Sequence, residues 1–294
     1  MTSPVSCTAD VDGIPMSALI GEATSPRATI VAIHGGATSS VYFDCPGHPD
    51  LSLLRTAATL GFTMIALDRP GFGASASHAD AMTDGQRRAE LAYAAVDRIM
   101  SSRPCGAGLF ILAHSAGCEL ALRMAATERG AELLGVEVAG TGRRHQPAAR
   151  EILTRPDLKD VRRGVRELLW ETANLYPREV IDGAVRGSWS PGYETKLVAN
   201  WPKRDFPSLA AQVRVPVRFT LADHEQFWEA GPAGLADVAS MFTASPRVVV
   251  NEQRDSPHNL SLGWTAAAYH LSVLSFVEEC VVRRAAATVR SEAS

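Results

Sequence analysis

Three short hydrophobic runs, each stopped by turn residues, set the pattern of the first half of the chain. They are Thr29–Ile33, Phe62–Leu67 and Gly108–Ala113. Nearly continuous hydrophobic runs of this length are typical of strands that are buried on both faces of a parallel sheet. We therefore predict three buried parallel strands.

Helical patterns lie between and after these runs, at Leu51–Leu60, Asp84–Met100 and Glu119–Arg129. The last is rich in alanine and leucine and begins directly at the turn after the third run. Strands that alternate with helices indicate a parallel sheet with crossover helices. The predicted fold class is therefore α/β.

The second half of the chain continues the same pattern. Further strands are predicted at Leu134–Ala139, Val215–Leu221 and Arg247–Val250, and a closing amphipathic helix at Thr265–Val282. Between the first two of these strands, residues 141–207 carry helical segments and loop residues but no strand pattern. We predict a core made of residues 1–140 and 208–294, and a helical cap, residues 141–207, over the carboxyl edge of the sheet, where open α/β sheets bind ligands.

Composition and charge narrow the class of partner. The chain has 294 residues, of which 46% are hydrophobic, and a formal net charge of −3 from 29 basic and 32 acidic residues. The hydrophobic fraction is enough for a sizeable core. The charged residues show neither the basic excess of a nucleic-acid-binding protein nor a polybasic run for a membrane surface. A small-molecule substrate is the expected partner.

Cysteine usage and motif searches bear on cofactors and location. The five cysteines are widely spaced and form no CxxC pair, so neither a disulfide framework nor a zinc site is indicated. No GxGxxG, Walker or HExxH pattern occurs, so no cofactor and no metal is expected. Residues 1–12 lack the features of a secretory signal, and the expected location is the cytoplasm. Only three of the basic residues are lysines, a bias associated with GC-rich bacterial genomes.

The turn after the third strand is the strongest candidate for chemistry. It contains Ala113, His114, Ser115, Ala116 and Gly117, with small residues two positions before and after the serine. A serine on a tight strand-to-helix turn presents its hydroxyl above the sheet and aims the following helix N-terminus at the reacting carbon. The alternative is that Ser115 merely caps the helix.

Three motifs together resemble those of the α/β-hydrolase superfamily. They are His34–Gly36, Asp68–Gly73 and His114–Gly117, and their order, spacing and flanking strands agree over nearly the whole chain. The resemblance implies an eight-stranded, mostly parallel sheet with a helical cap, which fits the position of residues 141–207. It also implies a serine nucleophile, Ser115, with a histidine base and an acid later in the chain.

The oxyanion hole of such an enzyme takes two backbone donors. One is expected to be the N–H of Ala116, the residue after the nucleophile. The other is expected in the glycine-rich loop after the first strand, where the resemblance favours Gly36 and leaves Ala37 as the alternative. These glycines have a simpler interpretation, which is that they only make the turn.

The chain order of the superfamily assigns the base and the acid. The base follows the last strand, which selects His258, whereas His270 falls inside the closing helix and is predicted to pack there. Two carboxylates follow the preceding strand, Asp223 and Glu225. The resemblance places the acid three residues after the position of Ala222, which favours Glu225 and leaves Asp223 as the alternative.

Aromatic residues near these motifs are candidates for lining a substrate pocket. They are Tyr42 and Phe43, after the predicted oxyanion loop, Trp189 in the cap and Trp228 beside the acid. Large apolar rings suit a hydrophobic substrate, but plain core packing explains each of them equally well.

Three functions remain open on the sequence alone. The first is hydrolysis of a carboxylic ester or thioester through an acyl-enzyme, and the second is acyl transfer or cyclisation by the same triad with water excluded, as in similar proteins of bacterial secondary metabolism. The third is ligand binding without turnover, which the intact serine–acid–histidine order argues against. The substrate is expected to be a small acyl compound, free or carried by coenzyme A or a carrier protein.

Overall fold

A central sheet organises the computed structural model, which describes residues 3–184 and 190–292. Eight strands are found in these residues, in the spatial order β1-β2-β4-β3-β5-β6-β7-β8. Their bounds are β1 Val5–Val11, β2 Ile14–Gly21, β3 Thr29–Ile33, β4 Thr63–Leu67, β5 Leu109–His114, β6 Gly135–Ala139, β7 Val217–Ala222 and β8 Val248–Gln253. Strands β3 to β8 are all parallel to their neighbours among themselves, whereas β2 pairs antiparallel with both β1 and β4. The predicted α/β fold is therefore confirmed.

The buried centre of the sheet agrees closely with the hydrophobic runs. Every residue of β3, β4 and β6 is buried, as expected of strands covered on both faces. The hairpin of β1 and β2 was not predicted individually, because its outer strand alternates between exposed and half-buried positions. Its turn, Asp12–Gly13 with φ angles of 54° and 81°, is the two-residue type that joins antiparallel strands.

Helices cover both faces of the sheet. They are α1 Leu53–Thr59, α2 Gly85–Met100, α3 Gly117–Ala126, α8 Gly231–Ala239 and α9 Ala266–Glu292. The side chains of α2, α3 and α8 belong to one hydrophobic cluster and those of α1 and α9 to another. Helix α8 was not predicted, and α9 runs beyond the predicted end at Val282. None of the described helices combines the length and apolar character needed to cross a bilayer.

Residues 141–207, predicted as a cap and here called the insertion, lie between β6 and β7, and the elements described between these two strands are helical. They are α4 Pro147–Leu153, α5 Leu158–Leu169, α6 Tyr193–Asn200 and α7 Phe206–Ala210, with π-helical turns at Val180–Ala184 and Trp201–Asp205. Trp201 anchors the end of the insertion, since its ring stacks on Phe206 at 4.8 Å and its Nε1 donates to Thr141 Oγ1 at 2.8 Å.

Candidate active site

The turn that carries Ser115 lies at the carboxyl end of β5, between the ends of β3 and β6. Ser115 adopts φ 52°, a left-handed conformation that is costly for a residue with a side chain. Its backbone is held on both sides, because its N–H donates to Ala139 O at 2.8 Å and its carbonyl accepts from Cys118 N at 3.0 Å. The strained turn is therefore fixed by the sheet and by the first turn of α3.

Ser115, His258 and Glu225 form a continuous hydrogen-bonded chain. The Nε2 atom of His258 lies 3.2 Å from Ser115 Oγ, and its Nδ1 lies 2.7 Å from Glu225 Oε2. A carboxylate only accepts, so Nδ1 carries the proton and Nε2 is left to accept from the serine hydroxyl. This is the arrangement in which a histidine acts as a general base toward a serine.

The two candidate acids have different environments. The carboxylate of Glu225 is buried, and its second oxygen accepts from the backbone N–H groups of Phe227 at 2.9 Å and Trp228 at 3.3 Å. Asp223 instead accepts from the N–H groups of Asp255 and Ser256 at 2.9 and 3.0 Å. The carboxylate in contact with the imidazole is thus that of Glu225, while Asp223 holds the loop that leads to His258.

His114, which the sequence marks only as part of the serine turn, is a buried residue of the site. Burial lowers the pKa of His114 to about 3, so the ring is neutral, and its Nε2 lies 2.9 Å from His258 O. Since a carbonyl only accepts, Nε2–H donates, and the ring fixes the backbone of the proposed base. Gly140 makes room for this ring, because a Cβ there would lie 2.7 Å from His114 Nε2. Nothing in the sequence pattern marks this contact.

Two tyrosines hold the same loop. The hydroxyl of Tyr42 accepts from Ser261 N at 3.4 Å, and that of Tyr176 accepts from Asn259 N at 3.3 Å. The ring of Tyr42 also stacks on His114 at 4.7 Å. The loop with His258 is therefore restrained from several directions.

The loop after β3 packs against the serine turn. A Cβ on Gly35 would lie 3.2 Å from Ser115 Cβ, and one on Gly36 would lie 3.8 Å from Ala116 Cβ. Gly36 and Ala116, the expected donor residues, are thus close neighbours. The alternative donor, Ala37 N, is engaged by Ser190 Oγ of the insertion at 3.2 Å.

The aromatic candidates lie mostly in packed positions. Tyr42 and Phe43 are each 1% exposed and belong to the hydrophobic core, so their placement supports packing behind the site and not a pocket surface. Trp228 is also buried and stacks on His145 at 4.4 Å. Trp189 lies outside the described residues.

His270 and one cluster of possible metal ligands take no part in the hydrogen bonds that join Ser115, His258 and Glu225. His270 is fully buried within α9, the position expected of a packing residue. Asp223, His224 and Asp255 bring possible ligand atoms within 4.8 Å of one another, with His224 and Asp255 exposed. The Asp223 carboxylate already accepts hydrogen bonds from two backbone N–H groups there, so holding the loop explains why these three residues lie together.

A buried ion pair joins the insertion to the candidate active site. Arg69, in the turn after β4, donates from Nη2 to Glu194 Oε1 of α6 at 2.5 Å and to Gly35 O at 2.8 Å. Arg69 belongs to the Asp68–Gly73 motif, whose resemblance to the superfamily does not indicate this pair. No sequence signal connects Arg69 with a glutamate so far along the chain.

Comparisons with known proteins agree with this architecture. The family described as "Alpha/beta hydrolase family" matches residues 30–278. Among solved structures, a thermostable carboxyl esterase from Bacillus coagulans superposes with a TM-score of 0.66 at 18% identity, covering 96% of this chain and 100% of that one. A thioesterase domain from the curacin biosynthetic pathway gives 0.61 at 16% identity, covering 93% and 100%. At such identities these likenesses show the fold alone.

A third similar structure is a soluble variant of monoglyceride lipase from Saccharomyces cerevisiae, with a TM-score of 0.64 at 14% identity, covering 95% of this chain and 96% of that one. A search of curated protein sequences finds no match.

Proposed function

We propose that this chain, which belongs to the alpha/beta hydrolase family, is a serine hydrolase that cleaves a carboxylic ester or thioester through an acyl-enzyme. The observation that carries the proposal is the unbroken contact from Ser115 Oγ through His258 to Glu225. A buried carboxylate that fixes the tautomer of a histidine beside a strained serine has little use in a protein that only binds.

Acylation begins when His258 Nε2 takes the proton of the Ser115 hydroxyl as Oγ attacks the substrate carbonyl carbon. Glu225 then stabilises the imidazolium through Nδ1–H. The tetrahedral oxygen is proposed to accept from the N–H groups of Ala116 and Gly36. The imidazolium returns its proton to the leaving alcohol or thiol, and the acyl group stays on Ser115.

Deacylation repeats the same steps with water. His258 takes a proton from the water that attacks the acyl carbon, and the second tetrahedral intermediate expels Ser115 Oγ, which recovers its proton. The carboxylic acid leaves. An acyl acceptor other than water would turn the same chemistry into acyl transfer, and a nucleophile within the substrate would turn it into cyclisation.

The test is covalent labelling of the nucleophile. A fluorophosphonate probe is expected to add once, on Ser115, and the Ser115→Ala variant is expected to fold, to escape labelling and to lose on the order of 10⁶ in kcat toward p-nitrophenyl esters. Peptide mass spectrometry locates the adduct. Labelling at another residue, or full turnover by Ser115→Ala, contradicts the proposal.

The substrate class is tested on the same protein. We propose a small acyl ester or thioester, and a panel of p-nitrophenyl esters and acyl-CoA thioesters of increasing chain length separates these possibilities by kcat/KM. Mass spectrometry of products formed with and without an added alcohol or amine acceptor separates hydrolysis from acyl transfer.

A further inference from the structure

Arg69 is a charged side chain buried beside the proposed oxyanion hole. Its side chain is 3% exposed, and Nη2 donates to Gly35 O. Its own backbone N–H donates to His34 Nε2 at 3.1 Å. Burial of a guanidinium is costly unless hydrogen bonds and a counter-charge compensate it, so such a residue calls for a specific reason.

The Gly35 carbonyl is held by two donors. Burial drives the pKa of His34 well below its ordinary value, so the ring is neutral. Since Nε2 accepts from Arg69 N, the ring proton lies on Nδ1, which donates to Gly35 O at 2.8 Å. Arg69 Nη2 donates to the same oxygen at 2.8 Å.

These two bonds fix the direction of the Gly36 N–H. The peptide unit between Gly35 and Gly36 is planar and trans, so its N–H points to the side opposite its carbonyl. Donors that pull Gly35 O toward His34 and Arg69 therefore turn Gly36 N–H away from them. Glycine at both positions leaves this peptide free to rotate unless it is held.

The insertion supplies the counter-charge of Arg69. Glu194 in α6 accepts from Nη2, and its other oxygen, Oε2, lies 3.5 Å from the place that a Cβ on Gly36 would occupy. The same stretch makes two more contacts with the core, since Tyr193 donates to Pro70 O at 3.0 Å and Ser190 accepts from Ala37 N. Residues 190–194 are thus docked on the loops that shape the site.

From this geometry we propose that Arg69 is a positioning residue for the Gly36 donor, and that its ion pair with Glu194 makes this donor depend on docking of the insertion. With Glu194 in place, its carboxylate compensates the charge of the Arg69 guanidinium, and Nη2 keeps its hydrogen bond to Gly35 O. When the insertion moves away, Arg69 loses this carboxylate and the peptide is held less firmly. The inference rests on the proposed hydrolase function.

The experiment is a double-mutant cycle of Glu194→Gln and Arg69→Lys. Both variants keep approximate shape, and the second keeps the positive charge but not the forked donors. We expect each to lower kcat for p-nitrophenyl butyrate about tenfold, as part of the roughly 10²–10³ that loss of an oxyanion donor costs, while KM changes little. Because Glu194 acts through Arg69, the double variant is expected to be no worse than Arg69→Lys alone.

Two readouts separate positioning from a general structural role. Titration with a fluorophosphonate gives kcat per active site, so a partly unfolded variant is not counted as a slow one. The inhibition constant of an aliphatic boronic acid, whose tetrahedral adduct places an oxygen in the hole, is expected to rise in parallel with the loss in kcat/KM.

Asp237→Asn is the matched control. It weakens the pair between Arg143 and Asp237, at 2.9 Å, which ties the start of the insertion to α8 by a more exposed contact. We expect its kcat to stay within about twofold of the unmodified protein, as for other exposed ion pairs.

The possible failures are distinguishable. Absence of labelling at Ser115 in the unmodified protein overturns the proposed function itself. Normal labelling with an unchanged or raised kcat for Glu194→Gln overturns this inference, and so do additive effects in the double variant, which mean that Glu194 acts on the substrate directly. If Arg69→Lys does not fold, the inference is tested on Glu194→Gln alone: a lower kcat with a higher boronate inhibition constant supports it, and no change in either overturns it.

Discussion

At the scale of single residues, the candidate site contains two energetically unfavourable features, each of which is compensated by nearby hydrogen bonds. Ser115 is held in a conformation that glycine would adopt more easily, and Glu225 is buried with its charge. Each is compensated nearby, the serine by backbone bonds to Ala139 and Cys118, the carboxylate by two N–H donors and His258. Such local costs are typical of functional sites.

The two carboxylates after β7 give the clearest test at this scale. Glu225→Gln removes the charge that orients His258 Nδ1–H, so kcat is expected to fall on the order of 10⁴. Asp223→Asn keeps one acceptor for the loop, and its kcat is expected to stay within about tenfold. Steady-state kinetics on p-nitrophenyl esters checks both.

Asp223→Asn serves as the control for Glu225→Gln, since both changes are from acid to amide in one segment. If Asp223→Asn loses most of its kcat while Glu225→Gln stays active, the acid of the triad is Asp223. Mild effects in both would place the acid elsewhere.

At the scale of elements, the site depends on the close approach of two turns, one after β3 and one after β5. A Cβ on Gly117 would lie 2.4 Å from His34 O and 2.6 Å from Ile33 O, so α3 begins in contact with the backbone of β3. Only glycine permits this distance. The same approach brings Gly36 beside Ala116.

Gly117→Ala is therefore expected to push α3 away from β3. We expect a loss of about 1–3 kcal/mol in the free energy of unfolding, as for overpacked cores, and a fall in kcat because Ser115 and the donors move apart. Urea denaturation and p-nitrophenyl ester kinetics measure the two effects.

Gly192→Ala is the comparison for this change. A Cβ at Gly192 meets nothing within 4 Å among the described residues, so its effect on stability is expected to stay within about 0.5 kcal/mol. Equal effects of the two substitutions would mean that the close approach of the turns does not matter.

At the scale of the whole molecule, several histidines are buried in neutral form. Burial lowers the pKa of His114 and His270 to about 3, and that of His34 well below its ordinary value. The unfolded chain then binds more protons than the folded one between about pH 6.5 and 3. Stability is present above this window and is lost as the pH falls through it.

His270→Leu isolates one of these groups away from the candidate site. Neither ring nitrogen of His270 has a hydrogen-bond partner within the described residues, so an apolar side chain is expected to be tolerated at pH 7. Between pH 7 and pH 5 the variant is expected to lose about 2 kcal/mol less free energy of unfolding than the unmodified protein. Urea denaturation at the two pH values measures this.

His78→Leu is the control, since His78 lies half-exposed on the surface. It keeps all the buried histidines and shows what the same substitution does at a half-exposed position. If His270→Leu loses as much free energy of unfolding between pH 7 and pH 5 as the unmodified protein, burial of His270 is not a source of acid sensitivity.

The sequence by itself determined the order of the central strands, β3 to β8, and the position of the serine turn. Buried strands such as Thr29–Ile33 and turns such as His114–Gly117 are local, because hydrophobic periodicity and small residues next to a turn act over a few positions. The family resemblance added the order of nucleophile, acid and base. The outer hairpin of β1 and β2 was not predicted from the sequence, because its exposed edge strand has only a weak hydrophobic pattern.

Only the tertiary structure decided which groups touch. The residues after β7 leave Asp223 open as an alternative to Glu225, and the fold separates the two because only Glu225 contacts His258, whereas Asp223 accepts from the N–H groups of Asp255 and Ser256. The bond of His114 to His258 O and the pair of Arg69 with Glu194 join residues more than a hundred positions apart. Such contacts depend on the path of the sheet and the docking of the insertion, and no short segment of sequence contains that information.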